Sequence, residues 1–528
     1  MKKKSLLKKL LVAGLVVGTV FAGSCGGGGG GTGGGTGGGG GTGGGTGGGT
    51  GGGTGGTTTA TYLAYYEESG YVYLVDPANP TNPIKVSQNP VVPPSDNTFS
   101  VDSLSTLDSF DSTTKSYTNF HPYEIYWIEE SDGDTTTING GKVMKVSAIK
   151  GSSTPTPTQV SNLTNACGFV STDSDINKMY MEVRTAGSDG KCSTNDDEYY
   201  FINNNMTSSS SAISLANKTI ITSITGGISN PTISGILLYS SGNIQKCDTN
   251  LSNCTTIGTS QIAPNYITNN PNNGNIYLCI NTTMYMFDGT SLSNTNLSCP
   301  TGDSYEDDKA IYYVDNGNVK KYTYGGSGWQ TIYNGGDVDV NGGLQTFTSN
   351  YLFVKAGSKI KAIKKDGTAY YDLYTFSNSQ QYINNVFATA DKVFVNIVDP
   401  QSSVIKGCVY TEGATSLNCE NNVYWSGISF ASSGTLNLST EYQLSIYKIM
   451  KVEGMNFQTG GGTLYAVDPS NLQSKTNLGT VPTSLVIFGS GIGDNILLNG
   501  NDINNNMMSD VFFANLSTTA SLKRITNT

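Results

Sequence analysis

An all-β repeat architecture is what this sequence predicts, and three observations carry it. Short runs rich in Tyr, Val, Ile and Thr recur from residue 59 to residue 528, each broken by a turn containing Gly or Asn. That is the pattern of paired strands. The better-spaced turns, Asn316-Gly317 and Gly357-Ser358, lie about 40 residues apart, a period that marks the blades of a β-propeller. No amphipathic helical period intervenes, which disfavours parallel βαβ folds. About 470 residues at roughly 50 to 60 per irregular blade correspond to seven or eight blades.

The first segment, residues 1–24, reads as a signal peptide. Lys2, Lys3, Lys4, Lys8 and Lys9 form a basic start, and Leu10 to Ala22 is an apolar run too short to span a bilayer comfortably. Small residues follow in Ala22-Gly23-Ser24-Cys25-Gly26. This stretch resembles the signal peptide of bacterial lipoproteins, whose small residues precede an invariant Cys. The family usually has Leu three places before that Cys; Ala22 stands there in this chain. The resemblance implies cleavage before Cys25, lipidation of Cys25 and, with Gly26 rather than Asp following, sorting to the outer membrane. Residues 25–58 then form a linker of almost pure Gly with spaced Thr. Such a tract has no apolar surface to offset its ordering entropy. As a flexible coil of about 33 residues its r.m.s. reach is roughly 30 Å, which suits a leash between anchor and head.

Residues 59–528 carry the repeat. Its clearest copy runs from Lys309 to Tyr333 and reads as strand, tight turn, strand, Gly-rich turn, strand. Asn-Gly is the strongest short hairpin signal because both turn positions need φ > 0. Further copies are Tyr71–Asp76, Gly235–Cys247, Asn275–Gly289, Tyr351–Ile363 and Lys392–Tyr410. The pattern resembles bacterial propeller-type lipoproteins, without the WD dipeptide or the kelch double glycine. Terminal strands at Tyr62–Glu67 and Val511–Asn515 are placed to pair and close a ring.

The charge balance narrows the partners. Without the five leader lysines, 25 basic residues face 40 acidic ones, a balance of −15. Such a surface repels phosphate backbones, so no nucleic-acid partner is expected. The nine Cys leave eight once Cys25 is set aside. Neighbour pairing suits Cys247 with Cys254 and Cys408 with Cys419 across turns, and Cys279 with Cys299 within one blade. Cys167 and Cys192 complete the set, although eight cysteines allow 105 connectivities. No Cys-x-x-Cys exists and His121 is the only His, so structural zinc and c-type haem are not indicated. Disulfides in turn imply export to an oxidising compartment.

Candidate chemistry is sparse. The densest acidic stretch is 187–199, where Asp189, Asn195, Asp196, Asp197 and Glu198 could offer oxygens to calcium, with Gly190 turning the chain. It resembles the Asp-Gly…Gly-Thr-x-Asp-Asp loops of exported bacterial proteins, with Ser193 where those loops have Gly. A solvated acidic hairpin held by Cys192 is the equal alternative. Glu306-Asp307-Asp308 reads as a charged gatekeeper or blade loop leading into a strand, Asp132-Gly-Asp134 as a turn, and His121 as a turn or surface residue. No nucleophile elbow or phosphate loop is present. The expected function is therefore a lipid-anchored binding or scaffold module of the cell envelope, with a protein or glycan ligand. The alternative is a calcium-assisted carbohydrate-active hydrolase or lyase, an idea carried by fold analogy alone.

Overall fold

In the computed structural model, residues 62–526 are described apart from 67–69, 92–103, 112–115, 131–139, 173–179, 431–433, 436–445, 503–507 and a few shorter gaps. The leader, Cys25 and the Gly/Thr linker lie outside the described residues, as does Asp132-Gly-Asp134. Every regular element described is a strand, and the strands form nine sheets. In chain order these cover 63–85, 104–214, 218–259, 265–298, 304–333, 344–375, 382–421, 423–483 and 485–524.

The third to seventh sheets are four-stranded antiparallel meanders whose strands follow one another in chain order. First strands of neighbouring sheets approach one another, so they lie inside and the fourth strands outside. Second strands are apolar on both faces: Ile276–Ile280 and most of Ala310–Asp315 are buried throughout. Each second strand is covered by a neighbouring sheet on either side, so the usual alternation disappears. Third strands show a shared pattern of two buried positions three apart in Asn243–Cys247, Thr283–Phe287 and Asn318–Thr323. Fourth strands such as Leu292–Ser298 are largely exposed. These sheets, stacked side by side with their first strands inward, are blades, and the fold is an all-β propeller.

Asn316 and Gly317 have φ of 50° and 79°, which gives the primed turn expected between Ala310–Asp315 and Asn318–Thr323. Gly317 is required twice over. A Cβ there would also lie 2.5 Å from the Gly336 backbone.

Hydrophobic clusters bridge successive sheets. Ala310, Tyr312 and Val314 of the fifth pack with Leu344, Leu352 and Val354 of the sixth. Phe353 and Ile360 of the sixth pack with Val393 and Val395 of the seventh. The last joint closes the series, since Leu63, Tyr65 and Val75 of the first sheet pack against Leu497, Val511 and Phe513 of the ninth. The terminal strands therefore meet face to face. They do not pair edge to edge as expected, because Leu63–Tyr66 is hydrogen-bonded to Val72–Val75 and the ninth sheet keeps its own four strands.

Nine sheets do not map one to one onto the expected seven or eight blades. The regular sheets start closer together than 50 residues, at 265, 304, 344 and 382, so the assumed repeat was too long. The second sheet, in turn, is nine-stranded. It joins two consecutive strand sets through a single register pair, Gly141 with Ala166. His121 sits in the long strand Ser116–Glu130 rather than in a turn. The register beside it is broken at Pro122 and Asn119, and such irregular pairing tolerates proline within a strand.

Two bulges recur along the chain. The first strand skips one residue against the second at Ile221, Ile267, Gln345, Asn384 and Ser426. The fourth strand skips one against the third at Ile257, Ile332, Leu373 and Leu478. A bulge re-aims a side chain and bends the strand. Here all four outer bulges turn an aliphatic residue onto a core cluster.

Candidate functional site

Four disulfides join the pairs Cys167–Cys192, Cys247–Cys254, Cys279–Cys299 and Cys408–Cys419, which is the neighbour pairing. Cys247 and Cys254 face each other across third and fourth strands, and so do Cys408 and Cys419. All four bridges stay within one sheet. They stiffen blades and leave the joints between blades to packing and polar contacts.

The acidic loop is fastened to the second sheet by Cys167–Cys192. Gly190 turns it at φ 70°, with its N–H donating to the Gly187 carbonyl. Asp189, Asp196 and Asp197 converge on the Thr194 hydroxyl at 3.4, 2.6 and 3.2 Å. They are also served by the loop's own donors. Lys191 N–H donates to Asp189, and Ser188 Oγ–H and Asp189 N–H donate to Asp196. Thr194 N–H donates to Asp197, whose other oxygen lies 3.5 Å from Arg184. The hydroxyl and amide bonds hold Asp196 down at about 2. Glu198 turns away and accepts from Tyr200. The loop thus brings three of its five candidate ligands together, and its own donors occupy them. Among the described residues no group of three or more His, Cys, Asp or Glu is arranged to hold a metal.

Three buried or half-buried carboxylates act as joints. Glu129 lies at a cavity of about 190 Å³ between the first and second sheets. It accepts from the backbone N–H groups of Gln88 and Asn89 and from the Trp127 indole. Glu412 of the seventh sheet accepts from the Thr348 hydroxyl and from both nitrogens of Asn350 in the sixth. Asp307 follows the short inner strand of the fifth sheet and accepts from Lys365 of the sixth at 2.9 Å. Only Glu306 of the acidic run lies in that strand, Ser304–Glu306, and Asp307 and Asp308 form the link leading into Ala310–Asp315. Lys365 and Glu412 occupy the same place, the residue after the third strand of their sheets. Each reaches back to the preceding sheet.

One cluster faces solvent. Tyr370, on an outer strand of the sixth sheet, is 58% exposed. Its ring meets Tyr333 of the fifth sheet edge-on at 5.1 Å. Lys361 Nζ lies 5.6 Å from both ring centroids and is held by Asp337 at 3.1 Å and Asp372 at 2.8 Å. The Lys361 side chain is 5% exposed, whereas its two carboxylate partners are 43% and 38% exposed. Burial opposes the Lys361 charge, but bonds to Asp372, Tyr333 and Asp337 outweigh it and hold its pKa above the lysine value. Burial and the bond to Asp337 push Tyr333 up to about 12. The result is a rigid rim shelf with an open aromatic face, a fixed cation behind it and two half-exposed carboxylates beside it. Such a surface can stack on a ring and accept hydrogen bonds from hydroxyls or amides. The sequence hid this shelf because Tyr333, Asp337, Lys361, Tyr370 and Asp372 are scattered across two repeats. Tyr at strand positions looks the same whether structural or exposed.

No family model and no curated protein matches this chain. Among solved structures it is similar to the β-propeller domain of the trilobed protease from Pyrococcus furiosus, at 10% identity and TM-score 0.30, over 69% of this chain and 98% of that one. It is also similar to an oligogalacturonate lyase in complex with manganese, at 11% identity and TM-score 0.25, over 54% of this chain and 70% of that one. A TolB protein from Agrobacterium tumefaciens matches at 12% identity and TM-score 0.22, over 35% of this chain and 76% of that one. Likenesses at this level carry no reading of activity, and the propeller assignment rests on the sheet order and the cores between sheets.

Proposed function

We propose that the propeller is a non-enzymatic binding module of the cell envelope, holding a glycan or protein ligand on its rim. The observation that supports this most is the shelf of Tyr370, Tyr333 and Lys361, where an exposed aromatic face is held rigid by two carboxylates. The buried carboxylates Glu129 and Asp307 and the half-buried Glu412 are already committed as joints, which leaves the outer surface to make contacts. The four disulfides favour an exported protein. Together with the leader they support a head anchored at Cys25 of the mature chain and spaced from the membrane by the Gly/Thr leash.

The test is incubation of the mature protein with a panel of envelope and environmental polysaccharides, scoring retention and products together, beside a Tyr370→Ala variant. Retention of an unchanged polymer that the variant loses supports the reading. Tyr370→Ala should melt with the wild type, since exposed substitutions cost less than about 0.5 kcal/mol. Shortened or unsaturated products would overturn it in favour of a carbohydrate-active enzyme. Retention that survives the substitution would remove the shelf from the reading.

A further inference from the structure

We propose that Lys365 and Asp307 condense into an amide, an isopeptide cross-link that forms without a cofactor and joins the fifth sheet to the sixth. The geometry is that of a reactant pair. Lys365 Nζ lies 2.9 Å from Asp307 Oδ2, with side-chain exposures of 8% and 3%. The Phe347 ring centroid is 4.4 Å from Nζ, and the Tyr312 ring also faces it, at 5.6 Å. A charged amine in such surroundings loses most of its hydration, which disfavours its charge. Burial lowers the Lys365 pKa accordingly.

The remaining groups match what condensation needs. Asp307 Oδ1 accepts from the backbone N–H groups of Lys309 and Ala310 at 2.8 and 2.9 Å. That is the spacing of donors that stabilise an oxyanion. Oδ2 accepts from the Tyr312 hydroxyl at 3.1 Å. Asp308 is the neighbouring acid. Its Oδ1 is buried without a hydrogen-bond partner, and burial followed by the charge of Asp307 raises its pKa.

The step balances without an oxidant. A proton passes within the pair from Nζ to Oδ2, 2.9 Å away; the freed Nζ lone pair then attacks Cγ of Asp307, and the C=O electron pair moves onto Oδ1 beneath the two amides. An Nζ proton passes through Asp308 or Tyr312 to Oδ2, and the C–Oδ2 bond breaks to release water. The product is the amide Cγ–Nζ and one water. Since all four disulfides lie within single sheets, this bond would be the one covalent joint between sheets among the described residues. It would persist in a reducing environment.

The test is mass spectrometry of the mature chain after reduction, alkylation and tryptic digestion. The expected product is a branched peptide joining the segment around Asp307 to that around Lys365, lighter by one water than the two linear peptides together, with no cleavage after Lys365. Asp307→Asn should give the identical branched peptide by expelling ammonia, and Lys365→Arg should give none. Asp308→Asn should leave a larger linear fraction. Full cleavage after Lys365 in the wild-type protein, with both peptides linear, overturns the proposal. A water loss mapped elsewhere, with these peptides linear, overturns it equally. The wild-type digest decides the matter even where a variant fails to fold.

Discussion

Asn396 offers the sharpest test of how neighbouring blades are held in register. It is fully buried on the second strand of the seventh sheet. Its side-chain amide donates to the Trp425 carbonyl at 2.8 Å and its oxygen accepts the Trp425 N–H at 2.8 Å. Trp425 opens the inner bulge of the eighth sheet, where the chain skips Ser426. One side chain thus satisfies both backbone groups that the bulge frees, across a sheet boundary. Asn396→Leu keeps the branched outline of the side chain and removes both bonds. A buried backbone group left without a partner costs about 1–3 kcal/mol; the Trp425 N–H loses its partner while the carbonyl keeps the Asn385 amide at 3.5 Å, so the expected loss is about 2–3 kcal/mol. Asn384→Ala is the control. It removes one long bond, 3.3 Å from the buried Tyr424 hydroxyl, so its expected cost is about 1 kcal/mol, the low end of that range. Urea unfolding followed by tryptophan fluorescence reads both, with a lower midpoint and an unchanged slope expected for the Leu variant. Hydrogen exchange should quicken first in Val423–Phe430. A Leu variant as stable as the wild type, or one in which all sheets exchange faster alike, would refute the clamp.

Three further outcomes follow from the same structure. Phe513→Ala opens the joint between the first and ninth sheets and should cost about 3–5 kcal/mol. Exchange should rise in Leu63–Val75 and Asn495–Asn515 while the fifth sheet stays protected; equal protection at the joint would mean that the ring closes by other contacts. Asp248, Asp288 and Asp399 are held at about 2 by hydrogen bonds from neighbouring hydroxyl, amide and backbone groups, below the ordinary aspartate value of 3.8. A carboxylate depressed in the folded state contributes stability above its unfolded pKa and loses it as pH falls through the folded one. Melting temperature should therefore be flat from about pH 7 to 5 and fall between about pH 4 and 2, and a fall on the alkaline side of that window would contradict the assignment. Finally, the donors already seated on Asp189, Asp196 and Asp197 predict no change in melting temperature at millimolar calcium. A rise would mean that the carboxylates exchange those donors for the ion, since a native-state ligand stabilises by mass action.

The buried Asp307–Lys365 pair shows why a local reading stops short of a site. Glu306-Asp307-Asp308 looks like a charged run bordering a strand, and charge runs usually face water. Asp307 is nonetheless buried, because the short inner strand ending at Glu306 carries it under the sixth sheet. Lys365, 58 residues away, then sits after a third strand that reads like any other. Nothing local in either segment announces the other.

What the sequence by itself determined was whatever depends on neighbours along the chain. Strand content followed from Tyr, Val, Ile and Thr runs, and the Asn316-Gly317 turn from the φ > 0 requirement. The pairing of Cys247 with Cys254 and of Cys408 with Cys419 followed from short spacings. The number of sheets, the face-to-face closure of Leu63–Tyr66 on the ninth sheet, the clamp from Asn396 to Trp425 and the shelf around Tyr370 came only with the tertiary structure. Each joins residues from different blades, and the energy of such a contact comes from burial and alignment between sheets. No local spacing or propensity records that alignment.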